Sequence, residues 1–133
     1  MTLESPSAPD DGVRALVDAA LAEARTQRGG AELLGALDLG EDPAADLCVR
    51  GALRVRRDDG DVTGIAVVVS GVLAAVYVAP DRRRQGRGRA IVAAVRSEPG
   101  APRDAWALPG DRATKSLYES IGMKARLLTM RAE

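Results

Sequence analysis

The stretch Val76–Ala90, V-Y-V-A-P-D-R-R-R-Q-G-R-G-R-A, concentrates residue types that hold an anion. An apolar run meets Pro80, and five arginines follow within eight residues: Arg82, Arg83, Arg84, Arg87 and Arg89. Gly86 and Gly88 lie among them, and Ala90, Ile91, Val92 and Val95 then repeat at helical spacing. A buried strand, a basic glycine turn and a helix start together suit phosphate. The first N–H groups of a helix lack internal partners, its dipole favours negative charge there, and glycine admits close approach. The chain holds seventeen arginines against two lysines, so an even spread would place about one in such a window. A solvated basic loop would explain the charge, but it would not need two glycines at a helix start.

Composition narrows the chemistry. A chain of 133 residues suits one ordinary domain. We expect residues 11–133 to form it, behind a loose leader, Met1–Asp10, rich in serine, proline and acid. Net charge is zero, so the arginine cluster is local, and nucleic acid is not an expected partner. Trp106, Tyr77 and Tyr118 are the only aromatic residues, too few for stacking on bases. With no histidine, a Ser-His-Asp arrangement is excluded, and the single Cys48 leaves neither an internal disulfide nor a zinc site. We expect no bound metal. No apolar run reaches membrane-spanning length and no basic start precedes an apolar stretch, so a cytoplasmic protein without membrane attachment is expected.

Elements follow from periodicity and turn residues. Val13, Leu16, Val17, Ala20, Leu21 and Ala24 mark a helix capped by Asp10 or Asp11 and stopped by Gly29-Gly30. A shorter helix follows over Ala31–Leu39. Leu47, Val49, Leu53 and Val55 alternate with Arg50, Arg54 and Arg56, which predicts a half-buried strand. Asp58-Asp59-Gly60-Asp61 reads as a solvated hairpin turn, and Val62–Val69 and Val72–Val78 as central strands joined by Ser70-Gly71. After the arginine turn come a helix of about ten residues closed by Glu98-Pro99-Gly100, and a strand Ala105–Leu108. A helix capped near Asp111 and ended by Gly122 then precedes a last strand within Arg126–Arg131. The Val72–Leu108 unit should be a right-handed crossover between parallel strands. The fold class is therefore α/β (α+β), a mixed, mostly antiparallel sheet flanked by helices in the order α-α-β-β-β-α-β-α-β.

The residues Arg83-Arg84-Gln85-Gly86-Arg87-Gly88, with Pro80 upstream, resemble the acetyl-CoA-binding motif of the GNAT acetyltransferase superfamily. Its pattern is Arg or Gln, two residues, Gly, one residue, then Gly or Ala. A second segment, Asp111–Met123, is similar to the family's later helix, where a tyrosine precedes a Gly-Phe or Gly-Met pair. The resemblance covers Leu47 to Arg131 well and the N-terminal helices loosely. It implies an N-acetyltransferase that uses acetyl-CoA, without metal, on a small-molecule or peptide amine by direct attack in a ternary complex.

The resemblance also implies site residues. Arg83, Arg84, Gln85, Gly86, Arg87, Gly88 and Arg89 would form the cofactor turn, with N–H groups from Arg84 to Arg89 on the diphosphate. Val76, Tyr77 and Val78 would line the pantetheine arm, the main chain of Val76 and Val78 pairing with it like a strand. An N–H near Val78 would hold the oxyanion, Tyr118 would protonate the departing thiolate, and Asp111 would lie near the cofactor. For Tyr118 the plain alternative is a core tyrosine packed beside Leu117 and Ile121.

Several positions depart from the family pattern. Arg84 stands where glycine is frequent, Asp111 where asparagine is usual, and Thr114 where alanine is usual. No strand precedes Val13, and the family's last strand is expected to be missing, which would expose an edge for a homodimer to cover. The strand Val72–Val78 carries no acid to serve as general base, so deprotonation would pass through water or the amine would arrive neutral. Glu32, Glu41, Asp42 and Asp58 are candidates for attracting a cationic acceptor. A non-catalytic acyl-CoA-binding module on the same fold stays open, and more remotely an anion- or nucleic-acid-binding use of the arginine turn.

Overall fold

Two pairs of residues with positive φ fold the middle of the chain into a meander. Asp59 and Gly60 (φ 53° and 87°) join β1 (Leu53–Asp58) to β2 (Asp61–Val69), and Ser70 and Gly71 (φ 48° and 77°) join β2 to β3 (Val72–Val78). Two-residue turns of this hand match strand twist, so both pairs are antiparallel. The computed structural model describes residues 2–132; Met1 of the expected leader and Glu133 lie outside them. Three helices precede the sheet: α1 (Asp11–Arg25), α2 (Gly30–Leu37) and α3 (Pro43–Val49). A single 3₁₀ turn (Pro80–Arg82) and α4 (Arg87–Arg96) carry the chain from β3 to β4 (Asp104–Ala105), which pairs parallel to β3, and α5 (Arg112–Ser120) follows. The sheet order is β1-β2-β3-β4. The expected mixed, mostly antiparallel sheet with flanking helices is thus present.

Each face of the sheet has its own core. Val13, Val17 and Leu21 of α1 pack with Leu37, Leu47, Val55, Ile65 and Val67 on one face. Ile91, Val92 and Val95 of α4 and Tyr118 of α5 pack with Ala66 and Leu73 on the other. Burying each such aliphatic side chain contributes roughly 1.5–3 kcal/mol. Gly64 lets α4 approach, because a Cβ there would run into Ile91 Cδ1. Gly64→Ala should therefore cost about 1–3 kcal/mol in a urea-unfolding measurement, the usual cost of overpacking.

Four expectations need correction. Leu47 and Val49 belong to helix α3, not to a strand reaching Val55. Asp42 caps that helix by accepting the Ala45 N–H at 3.3 Å, Pro43 opens it, and Val49 is 81% exposed while Leu47 and Cys48 are buried. The strand expected over Ala105–Leu108 has only Asp104 and Ala105 in the ladder. The segment Arg126–Arg131 forms no strand, and Leu127, Leu128 and Met130 are exposed. Finally, the leader is held down. Glu4 and Val55 exchange backbone hydrogen bonds of 2.9 and 2.8 Å, and Asp10 caps α1 by accepting the Val13 N–H.

Candidate functional site

A single extra residue opens the sheet beside the arginine turn. Val67 pairs with Ala75 but Val68 pairs with Leu73, so Ala74 is a bulge in β3. On the other side of β3, the Trp106 N–H reaches the Leu73 carbonyl at 2.9 Å, and this is the last ladder bond to β4. In a continued parallel ladder the Trp106 carbonyl would next receive an N–H from β3. It receives the Tyr118 hydroxyl instead, at 3.0 Å. Beyond that point β3 has a free edge. Ala79 N–H donates to the Thr63 carbonyl at 2.9 Å, so by alternation Tyr77 turns its main chain toward β2, and Val76 and Val78 turn theirs away. The Val78 carbonyl accepts Arg83 Nε at 2.9 Å, consistent with that orientation.

The free edge leads into the turn. None of the six N–H groups from Arg84 to Arg89 donates to another group among the described residues, and the first helical bond is Ala90 N–H to the Gly86 carbonyl. Gly86 has φ 75° and caps α4, and a Cβ there would meet open space. Gly88 serves packing: a Cβ would lie 3.3 Å from Leu117 Cδ2 and 3.7 Å from Val78 Cγ2. Arg84 adopts φ 65°, a conformation costing a non-glycine residue about 1–2 kcal/mol. That cost explains why glycine suits the position.

The arginines divide into engaged and free. Arg87 Nε donates to Asp58 at 3.1 Å, and Arg82 donates to Asp61 at 3.2 Å. Arg83 lies over the Tyr77 ring at 5.0 Å with Nη2 3.7 Å from Glu23. Arg84 has no side-chain partner among the described residues, and Arg89 reaches only the Ser120 carbonyl at 3.5 Å. Asp58 is therefore not a solvated turn acid. It accepts from Thr63 at 2.5 Å and from Arg56 and Arg87 at 3.1 Å, and these bonds hold its carboxyl far below the usual carboxylate range. A depressed folded-state pKa adds stability above the unfolded value of about 3.9 and loses it as pH falls toward the folded one. Asp58→Asn should lower the melting temperature at pH 7, and the gap from wild type should shrink below about pH 4.

Tyr118 is 6% exposed, wedged among Ala66, Leu73 and α4 residues, with only its hydroxyl at the split. Burial first, and then the Asp111 charge, push its pKa well above the ordinary phenol value. Asp111 itself caps α5, accepting Thr114 N–H at 3.0 Å and Thr114 Oγ at 2.6 Å. Its carboxylate is spent on the helix and makes no contact with the arginine turn.

Beside the split lies a pocket of about 70 Å³ between α1 and β3. Its walls include Glu23, Gln27, Ala75, Tyr77, Trp106 and Leu108. Of the acids singled out from sequence, Asp42 is bound by Arg14, Asp58 by its arginines, and neither Glu32 nor Glu41 lines this pocket. Glu23 does, and the sequence reading missed it. Its place on the wet side of an amphipathic helix gives no local signal.

No protein-family model matches the sequence, and neither does any curated protein. Solved structures do. A point variant of the BH1408 protein from Bacillus halodurans aligns over 100% of this chain and 99% of its own, with TM-score 0.68 and 16% identity. A tetramutant of the same protein gives 0.63 at 16% identity, over 92% of each chain. Ribosomal-protein-alanine N-acetyltransferase from Brucella melitensis biovar Abortus 2308 gives 0.60 at 19% identity, over 92% of this chain and 91% of that one. The fold is GNAT-like. In GNAT-like terms some strands are lacking among the described residues, and β3, the arginine turn and α5 stand in the order the resemblance implied.

Proposed function

We propose that this GNAT-like chain is an acetyl-CoA-dependent N-acetyltransferase acting on an amine. One observation carries the reading: the open edge of β3 at Val76 and Val78, where Arg83 takes only the Val78 carbonyl, leads to six N–H groups, Arg84 to Arg89, with no partner among the described residues. A linear ligand with an amide-bearing arm and a diphosphate suits such a track. Val76 and Val78 would bond the arm through their main chain, Tyr77 lies between them, and Gly86 leaves room for phosphate. Arg84 and Arg89 are the cations free to add charge, while Arg83 and Arg87 brace the turn and Gln85 and Gly88 shape it. When bound, acetyl-CoA supplies a thioester carbonyl at which the amine forms a C–N bond as C–S breaks, one nitrogen proton passing to the thiolate. The Val78 N–H, turned away from β2, would hold the carbonyl oxygen. Tyr118, kept protonated by burial, would turn from the Trp106 carbonyl to donate to the thiolate and recover a proton from the amine nitrogen.

A second reading has its own observation. The Tyr118 hydroxyl already donates to the Trp106 carbonyl, as a structural strut would, and this favours an acyl-CoA-binding module without catalysis. The alanine acceptor named for the Brucella enzyme makes a peptide α-amine one candidate substrate here. Calorimetric titration with acetyl-CoA tests the shared premise. Saturable one-to-one binding is expected, followed by amine-dependent thiol release for the enzyme. No binding to folded protein would sink both.

A further inference from the structure

We infer that the pocket between α1 and β3 is a primary-ammonium site in which Glu23 takes the charge and Trp106 walls the apolar side. The inference rests on the acetyltransferase reading for its purpose, since it names the acceptor class for that site. Its geometry is independent of the reading. The chain has three aromatic residues, and two of them, Tyr77 and Trp106, line this one pocket. The third, Tyr118, bonds the Trp106 carbonyl. Two of the chain's three aromatic side chains thus meet at this one place.

Glu23 is the only acidic residue in the pocket wall, and its carboxylate accepts no hydrogen bond among the described residues. The nearest cation, Arg83 Nη2, stands 3.7 Å away, beyond hydrogen-bond reach, and that guanidinium is held by the Val78 carbonyl and the Tyr77 ring. Glu23 thus faces Arg83 as an ion pair but keeps its oxygen lone pairs for charge-assisted bonds from an ammonium group. The remaining walls are small and apolar. Ala20, Ala24, Ala74 and Ala75 create the space, and the bulge turns two consecutive alanines into it. A volume of about 70 Å³ has room for an ammonium on a short alkyl stem. Trp106, 40% exposed, adds apolar surface for the alkyl stem.

Trp106 is the chain's single tryptophan, so its emission reports this pocket alone. Titration with n-propylammonium chloride at constant ionic strength should give a saturable fluorescence change. Glu23→Gln should weaken that response at least tenfold with an unchanged melting temperature, and Glu23→Asp should recover part of it. Propan-1-ol, of the same shape without charge, should not distinguish wild type from Glu23→Gln. Ala75→Leu, which fills the pocket, should abolish the response to both ligands. A wild-type chain with no saturable response, or a Glu23→Gln chain that responds equally, overturns the site. A parallel acetyl-CoA titration of the wild type separates the two ideas. Propylammonium binding through Glu23 without acetyl-CoA binding keeps the pocket and sinks the acetyltransferase reading. Acetyl-CoA binding without a propylammonium response sinks the pocket alone.

Discussion

Gly86→Asp should cost at least about a hundredfold in acetyl-CoA affinity, close to 2.8 kcal/mol, while leaving the fold intact. The fold should survive for local reasons. Gly86 has φ 75°, which aspartate tolerates better than most residues, and its would-be Cβ faces open space. Aspartate is also a strong N-cap, so α4 would gain a side-chain partner for its first N–H groups. That same gain is what removes the ligand. A carboxylate among the N–H groups of Arg84 to Arg89 would bond the donors that the diphosphate needs and repel it as well. At 4 Å and an effective dielectric near 20, like unit charges oppose each other by about 4 kcal/mol before salt screening. Gly86→Asn keeps the shape without the charge and should lose far less. Calorimetry on the three proteins decides it: equal affinities would show that the turn is not the phosphate site.

Tyr118→Phe should lower kcat by roughly 10²- to 10⁴-fold, the range for a lost general acid, with acetyl-CoA affinity unchanged. The hydroxyl stands at the point where β3 and β4 part, bonded to the Trp106 carbonyl at 3.0 Å. Removing it leaves that carbonyl without its partner, so stability should also fall, by about 1 kcal/mol. The pH dependence carries a sign. Burial raises the Tyr118 pKa above its unfolded value, so the wild type should lose stability as pH rises beyond about 10, and the phenylalanine variant should lack this loss. No alkaline limb in the rate below that pH belongs to Tyr118. Full retention of turnover would make Tyr118 a strut and leave the chemistry to other groups.

The turn was legible because its determinants are local. Pro80, Gly86 and the shift from an apolar run to helical spacing all lie within a few residues of one another, and the two hairpins announce themselves through Asp59-Gly60 and Ser70-Gly71. Helix α3 was not legible, because Leu47, Val49, Leu53 and Val55 alternate as a strand would while Ala44, Leu47 and Cys48 also satisfy a helix. Only the Asp42-Pro43 start decides between them. The arginine pairings were hidden for another reason. Arg87 meets Asp58 and Arg83 meets Glu23 across long sequence separations, and no local pattern encodes either partner. The β3–β4 ladder ends beside the Ala74 bulge, and Ala74 looks like any other residue in an apolar run.

That alanine acts as a frameshift in the pleat. Side chains of a strand alternate between two faces, so one inserted residue reverses the parity of everything after it. Leu73 faces the α4 core, Ala74 and Ala75 face the α1 core in succession, and the alternation then resumes with Val76 on the α4 side. Both faces of β3 are apolar, so hydrophobic patterning alone would accept either frame, and the insertion fixes which one is read. Deleting Ala74 would put one reading frame through the whole strand and turn the residues on one side of the deletion to the opposite faces of the sheet.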